Sequence, residues 1–125
     1  STINEMELAY NIHNWPEVIN AFNRSANKNN KAWFLSAMAH MELNQFEQAA
    51  NDLQQVQLQN ARTGDNYFQD EAEYYMALNL LALDKVKDAI AIIEKIKTDK
   101  KHLYHEQAGR LSSLDLSIVS LKSGK

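Results

Sequence analysis

NQFEQAANDLQQV, residues 44–56, returns as DKVKDAIAIIEKI at residues 84–96 and, in looser form, as HNWPEVINAFNRS at residues 13–25. Each copy opens on a short turn and continues with apolar residues at helical spacing: Phe46, Ala49, Ala50, Leu53 and Val56 in one, Val86, Ala89, Ile90, Ile93 and Ile96 in another. Stripes of this kind are core faces. Upstream of the turns, KAWFLSAMAHMEL sets Trp33, Ala37, His40 and Leu43 on one face, and EAEYYMALNLLAL does the same with Ala72, Met76, Ala77, Leu80 and Leu83. The repeating unit is turn, helix, turn, helix. Connections as short as Asn44-Gln45 and Asp84-Lys85 make the helices of each pair antiparallel neighbours. Pro16 falls early in its helix, where a missing N–H is no loss.

Composition agrees with this reading. Three Gly and one Pro in 125 residues leave long helices favoured and hairpin-rich β structure disfavoured. The fold class is all-α, in one domain spanning 1–125 with about seven helices. Net charge is −3 and the pI about 5.8, from interspersed charges of both signs; no basic stripe is present to meet a phosphate backbone, so no nucleic acid is expected as a partner. Lys95, Lys97, Lys100 and Lys101 cluster, but Glu94 and Asp99 interleave them as on a solvated helix end. The absence of Cys excludes a disulfide framework, a thiol nucleophile and thiolate zinc ligation, and leaves cytosol and periplasm equally open. The uncharged run at residues 74–83 is about half the roughly 20 residues a membrane helix needs, so no membrane insertion by this segment is expected. No signal-peptide pattern and no initiator Met open the chain, and the ends read as those of a fragment whose parent carries a tether or further domain.

Two stretches depart from the period. In ARTGDNYFQDEAE, residues 61–73, Gly64, Asp65 and Asn66 read as a turn, with Asp70 or Asn66 capping the next helix. This is a loop insertion between hairpins. The closing segment sets Tyr104, Ala108, Leu111, Leu114, Ile118 and Leu121 on one stripe, as a capping helix over 101–121 that covers the last apolar face of an array.

These spacings resemble the tetratricopeptide repeat, a helix-turn-helix unit of about 34 residues. The match is best in the second hairpin, with Trp33 at the aromatic position, Ala37 at the small position, Phe46 after the turn and Ala49 at the Ala position, followed by Leu53 and Val56. Repeats fall at about 3–28, 30–62 and 67–98, and Val18, Ala49 and Ala89 mark spacings of 31 and 40 residues. Asn44 and Asp84 stand where the family's turn Gly is usual, no Pro closes a unit, and Glu73 replaces an aromatic, as in a divergent array. Residues 65–96 with 100–111 also resemble C-terminal repeat regions of membrane-linked proteins in Bacteroidetes-type bacteria.

The resemblance implies a right-handed superhelix whose first helices line a concave groove for an extended peptide or a partner helix. Carried onto this chain, the groove positions are Lys31, Phe34, Met38, Met41 and Glu42, then Glu71, Tyr74, Leu78, Leu81 and Ala82, with His102, His105 and Ser112 from the last helix and Glu7, Tyr10 and Asn11 opening the wall. Phe34, Met38, Met41, Tyr74, Leu78 and Leu81 also lie off the intrahairpin stripes, as a second apolar face that a partner, this chain or a second copy must cover. The carboxylate clamp of chaperone-binding members is missing, since Ile3, Glu7, Leu35, Glu71 and Tyr75 hold its positions. An acidic peptide would meet Glu7, Glu42 and Glu71 without a paired cation, so an apolar or mildly basic segment fits better. The expectation is a non-catalytic protein-interaction scaffold without cofactor or metal; the alternative is a structural or homodimerising element.

Catalytic and metal-binding patterns are weak throughout. His102, His105 and Glu106 could approach one ion, but helix-end histidines more often cap. His40, at a packing position, reads as a hydrogen-bonded core histidine. Glu71 and Glu73 point to different helix faces, and Ser112, Ser113, Ser117 and Ser120 have no base at a defined distance. Gly64 stands alone, outside any phosphate-binding loop, and the sequon at Asn23 lies inside a helix.

Overall fold

In the computed structural model, which describes residues 2–113, the chain is all-helical: α1 (Thr2–Asn11), α2 (Trp15–Arg24), α3 (Asn30–Glu42), α4 (Phe46–Thr63), α5 (Gln69–Ala82), α6 (Val86–Lys97) and α7 (His105–Ser113). Among the described residues there are seven helices and no strand. None is long and apolar enough to cross a membrane.

The sequence repeat is a repeat of backbone geometry. His13, Asn44 and Asp84 hold φ of 60°, 59° and 61°, the left-handed conformation, at the same point of the α1–α2, α3–α4 and α5–α6 turns. In each, the next residue's N–H reaches back to a helix carbonyl at 2.8 Å: Asn14 to Ala9, Gln45 to His40, Lys85 to Leu80. The left-handed residue itself donates to Tyr10, Met41 or Leu81 at 3.0–3.1 Å. This double closure is the Schellman motif, which needs a residue tolerant of positive φ and usually takes Gly. Asn and Asp tolerate the conformation because their short polar side chains bond locally, so the turn survives loss of the glycine. Burial repeats in register too: Val18, Ala49 and Ala89, each five residues past the turn, are fully buried.

The helices gather into two compact units, Ser1–Gln69 and Asp70–Lys125. In the first, α1 packs on α2, α2 on α3 and α3 on α4. Its core joins Met6, Ala9, Val18, Ala21, Phe22, Ala32, Leu35 and Ala39, with Trp33 edge-on to Phe22 at 4.8 Å. In the second, Ala77, Ile93, Ile96 and Ala108 of α5, α6 and α7 share a core that Tyr74, Leu81, Tyr104 and Leu111 flank. Side-chain caps start α2 and α3: Asn14 Oδ1 accepts from Glu17 N at 3.3 Å, and Asn29 Oδ1 accepts from Ala32 N at 2.9 Å.

Two boundaries differ from expectation. The 40-residue spacing is mostly helix, because α4 runs 18 residues against 10 for α2 and 12 for α6, and only residues 64–68 form the loop. Gly64, at φ 80°, ends α4 as a left-handed cap. Asn60, near the C-terminus of α4, is buried and hydrogen-bonded to Asn30, Tyr67 and Gln69. Asp70 lies inside α5 and accepts from Leu103 N at 3.0 Å instead of capping. The closing helix begins at His105, not 101, because the buried His102 side chain holds the preceding residues in turns. Leu114, Ile118 and Leu121 lie outside the described residues.

Candidate functional site

The expected groove residues fall in both units, and many are already engaged. In the first unit Met38 is buried, Phe34 stacks on Phe68 at 5.0 Å, and Lys31 pairs with Glu7 at 2.6 Å. Met41 is half-buried and Glu42 exposed. The Lys31–Glu7 pair changes the electrostatic argument made from sequence, since Glu7 does have a cation beside it. Helical phase could not reveal this, because Glu7 and Lys31 are 24 residues apart and meet only through packing.

In the second unit, Glu71, Tyr74, Leu78, Leu81 and His105 are half-buried. Tyr74 lies parallel to Tyr104 with centroids 4.3 Å apart, and Tyr75 meets both rings edge-on. Burial raises the phenol pKa of Tyr74, and burial with the adjacent Tyr75 raises that of Tyr104 further. Ser112 turns to α6, donating to Glu94 Oε1 at 2.8 Å and accepting from Lys97 Nζ at 3.2 Å. His105 keeps a buried Nδ1 with no hydrogen-bond partner.

His40 is the hydrogen-bonded core histidine expected of it. Its Nδ1 lies 2.7 Å from Asp52 Oδ2, and the fully buried Ser36 donates its hydroxyl to the same oxygen at 2.8 Å. Ser, His and Asp invite comparison with a nucleophilic triad, but the connectivity differs. In a triad the carboxylate and the serine sit on opposite ring nitrogens. Here Ser36 is 3.5 Å from the very nitrogen that faces Asp52. Buried serine and shared oxygen together describe a structural clasp between α3 and α4.

His102 joins Asp70 and Glu73 rather than His105 and Glu106. One ligand atom from each of the three lies within 4.8 Å of the others, a spacing open to a metal ion. The hydrogen bonds assign another role. Tyr104 N donates to His102 Nδ1 at 3.1 Å, so in the neutral ring Nε2 carries the proton, which it directs to Glu73 Oε1 at 2.9 Å with Asp70 Oδ1 at 3.5 Å. A metal on Nε2 would displace that proton and, with the ring neutral, move it to Nδ1 at the cost of the hydrogen bond from Tyr104 N. The cluster is a latch from α5 to the turn before α7, and Leu103 N on Asp70 completes it.

Sequence reading did not single out a cleft of about 400 Å³ in the first unit, at the start of α3 and the end of α4. Asn29, Asn30, Lys31, Asn60, Tyr67 and Phe68 are among its walls. Asn30 Nδ2 donates to Asn60 Oδ1 at 2.6 Å and to Tyr67 O at 3.0 Å, while Asn60 Nδ2 donates to Tyr67 O and Gln69 Oε1. These bonds fix both amide orientations and leave Asn30 Oδ1 buried without a partner. Phe68, in the same wall, holds φ 60°, strained for a bulky residue. The signal in sequence was the polar Asn29-Asn30 and Asn60 at positions otherwise reading as helix ends.

Comparison with protein-family models, with curated proteins and with solved structures finds no match to this chain.

Proposed function

We propose that this protein is a non-catalytic interaction scaffold, a divergent member of the tetratricopeptide-repeat class, that holds a peptide or partner helix along the first helices of its hairpins. The observation carrying this reading is the recurrence of one turn geometry at His13, Asn44 and Asp84 with the burial pattern in register. Arrays of helical hairpins are scaffolds whose repeated faces serve recognition. The Ser36–His40–Asp52 clasp and the His102 latch support it, because in neither is a nucleophile aligned with a base. Apolar or mildly basic segments remain the favoured partner chemistry, with Met41 and Leu78 as adaptable contacts.

Tyr74 is a poor site to test this, since its ring supports Tyr104. Met41→Glu with Leu78→Glu is the sharper perturbation. Affinity capture from the source organism's lysate, with both proteins checked by circular dichroism, should show specific loss of a captured protein in the variant. Equal capture by two folded proteins removes these faces from the reading.

A further inference from the structure

The cleft at the start of α3 and the end of α4 has a chemical character of its own. Its volume, about 400 Å³, lies within the range of about 300–1,000 Å³ that small-ligand sites occupy. The hydrogen bonds around it consume donors and leave acceptors. Both N–H groups of the Asn30 carboxamide are spent, on Asn60 Oδ1 and Tyr67 O, while its Oδ1 is buried without a donor. Gln59 gives its Nε2 to Lys28 O at 3.0 Å, which leaves Oε1 open. Asp65 contributes an exposed carboxylate with no cation against it among the described residues. Lys31, the cation of the wall, is committed to Glu7 at 2.6 Å.

An anion is therefore a poor fit: it would meet Asp65 and two amide oxygens and find Lys31 already paired. We propose that the cleft is a binding site for a guanidinium group, carried by an arginine side chain or by a small guanidinium compound. A guanidinium brings five N–H donors and no acceptor in a rigid plane, which suits acceptors set at different points of a wall better than an ammonium does. Asp65 supplies the countercharge, Gln59 Oε1 and Asn30 Oδ1 accept, and Tyr67, 64% exposed, offers a ring on which the plane stacks. The Tyr67 carbonyl takes a hydrogen bond from Asn30 at 3.0 Å and from Asn60 at 3.1 Å, so the residue carrying that ring is tied to both helices. Asn30 Oδ1 is closed to solvent in the free protein, and the guanidinium reaches it as the wall shifts; Phe68, strained at φ 60°, is a part of that wall with conformational energy to release. The new hydrogen bond then removes the penalty of a buried acceptor left unmade. The site does not rest on the proposed groove: Met41 and Leu78, which test that reading, are not among the walls.

The probe is blocked arginine, N-acetyl-arginine amide, titrated into the isotope-labelled protein and followed by backbone and side-chain amide chemical shifts. Shifts are expected at residues 29–31 and 59–68, the Asn30 and Gln59 carboxamides among them, saturating at roughly millimolar concentration as befits so small a ligand. Blocked citrulline, equal in shape but uncharged, and blocked lysine should each bind about fivefold more weakly or worse. Asp65→Asn, at an exposed position, should weaken blocked arginine about fivefold or more with an unchanged melting curve, and Tyr67→Leu should weaken it by removing the ring. Methylguanidinium separates the two sources: binding as tight as that of blocked arginine gives the site to a free guanidinium compound, and binding severalfold weaker gives it to an arginine within a peptide. No shifts at these residues up to about 10 mM, citrulline or lysine equal to arginine, blocked glutamate binding in place of arginine, or an Asp65→Asn variant that binds undiminished each overturns the assignment.

Discussion

Replacing Asp52 by Ala should unfold the first unit more readily than any surface change. Asp52 is 4% exposed and its Oδ2 accepts from Ser36 and pairs with His40 Nδ1. Truncation removes two hydrogen bonds worth about 1 kcal/mol each and leaves a buried hydroxyl and a largely buried ring nitrogen unsatisfied, for a combined loss of about 3 kcal/mol. That is a large share of the roughly 5–15 kcal/mol that holds a domain together, and at about 4 °C per kcal/mol it lowers the melting temperature by about 12 °C. Asp52→Asn keeps an acceptor and the shape, so it should lose about half as much. Urea titration followed by circular dichroism measures both. A cycle with His40→Leu should give a coupling of about 1 kcal/mol or more. If Asp52→Ala stays within about 0.5 kcal/mol of the parent, or the cycle shows no coupling, the clasp is a geometric coincidence and the reasoning fails.

Asp84→Gly should raise stability by about 0.5–1 kcal/mol, read as a higher melting temperature, because Gly enters the left-handed turn without the Cβ penalty; a lower one refutes the turn argument. Alkaline pH should weaken the second unit: burial raises the Tyr74 and Tyr104 pKa values above the ordinary 10, so the stability owed to the neutral phenols is complete below pH 10 and is lost as pH climbs through the folded values. Phenolate absorbance should lag that of free tyrosine, and Tyr74→Phe with Tyr104→Phe should flatten the alkaline loss; an unchanged profile contradicts it. Zinc should leave the melting temperature of the native protein unchanged, whereas a rise that Glu73→Gln abolishes would show that the His102 latch opens to metal.

Helical class and hairpin order were legible because helical periodicity is local: the stripe at Ala49, Leu53 and Val56 needs no knowledge of what it meets, and all three are fully buried. The turns were legible for the same reason, although Asn44 and Asp84 in place of glycine disguised them. The candidate site was less legible. A second apolar face could be read at Phe34 and Tyr74, but not that Phe68 and Tyr104 lie against them.

The sequence by itself determined the seven-helix order and the register at 31 and 40 residues, both properties of neighbouring residues. Only tertiary structure decided which polar groups meet: Lys31 with Glu7, Asp52 with His40 and Ser36, His102 with Glu73 rather than His105. Those contacts join residues 12 to 29 positions apart, and their partners are selected by the packing of whole helices, which no local periodicity encodes.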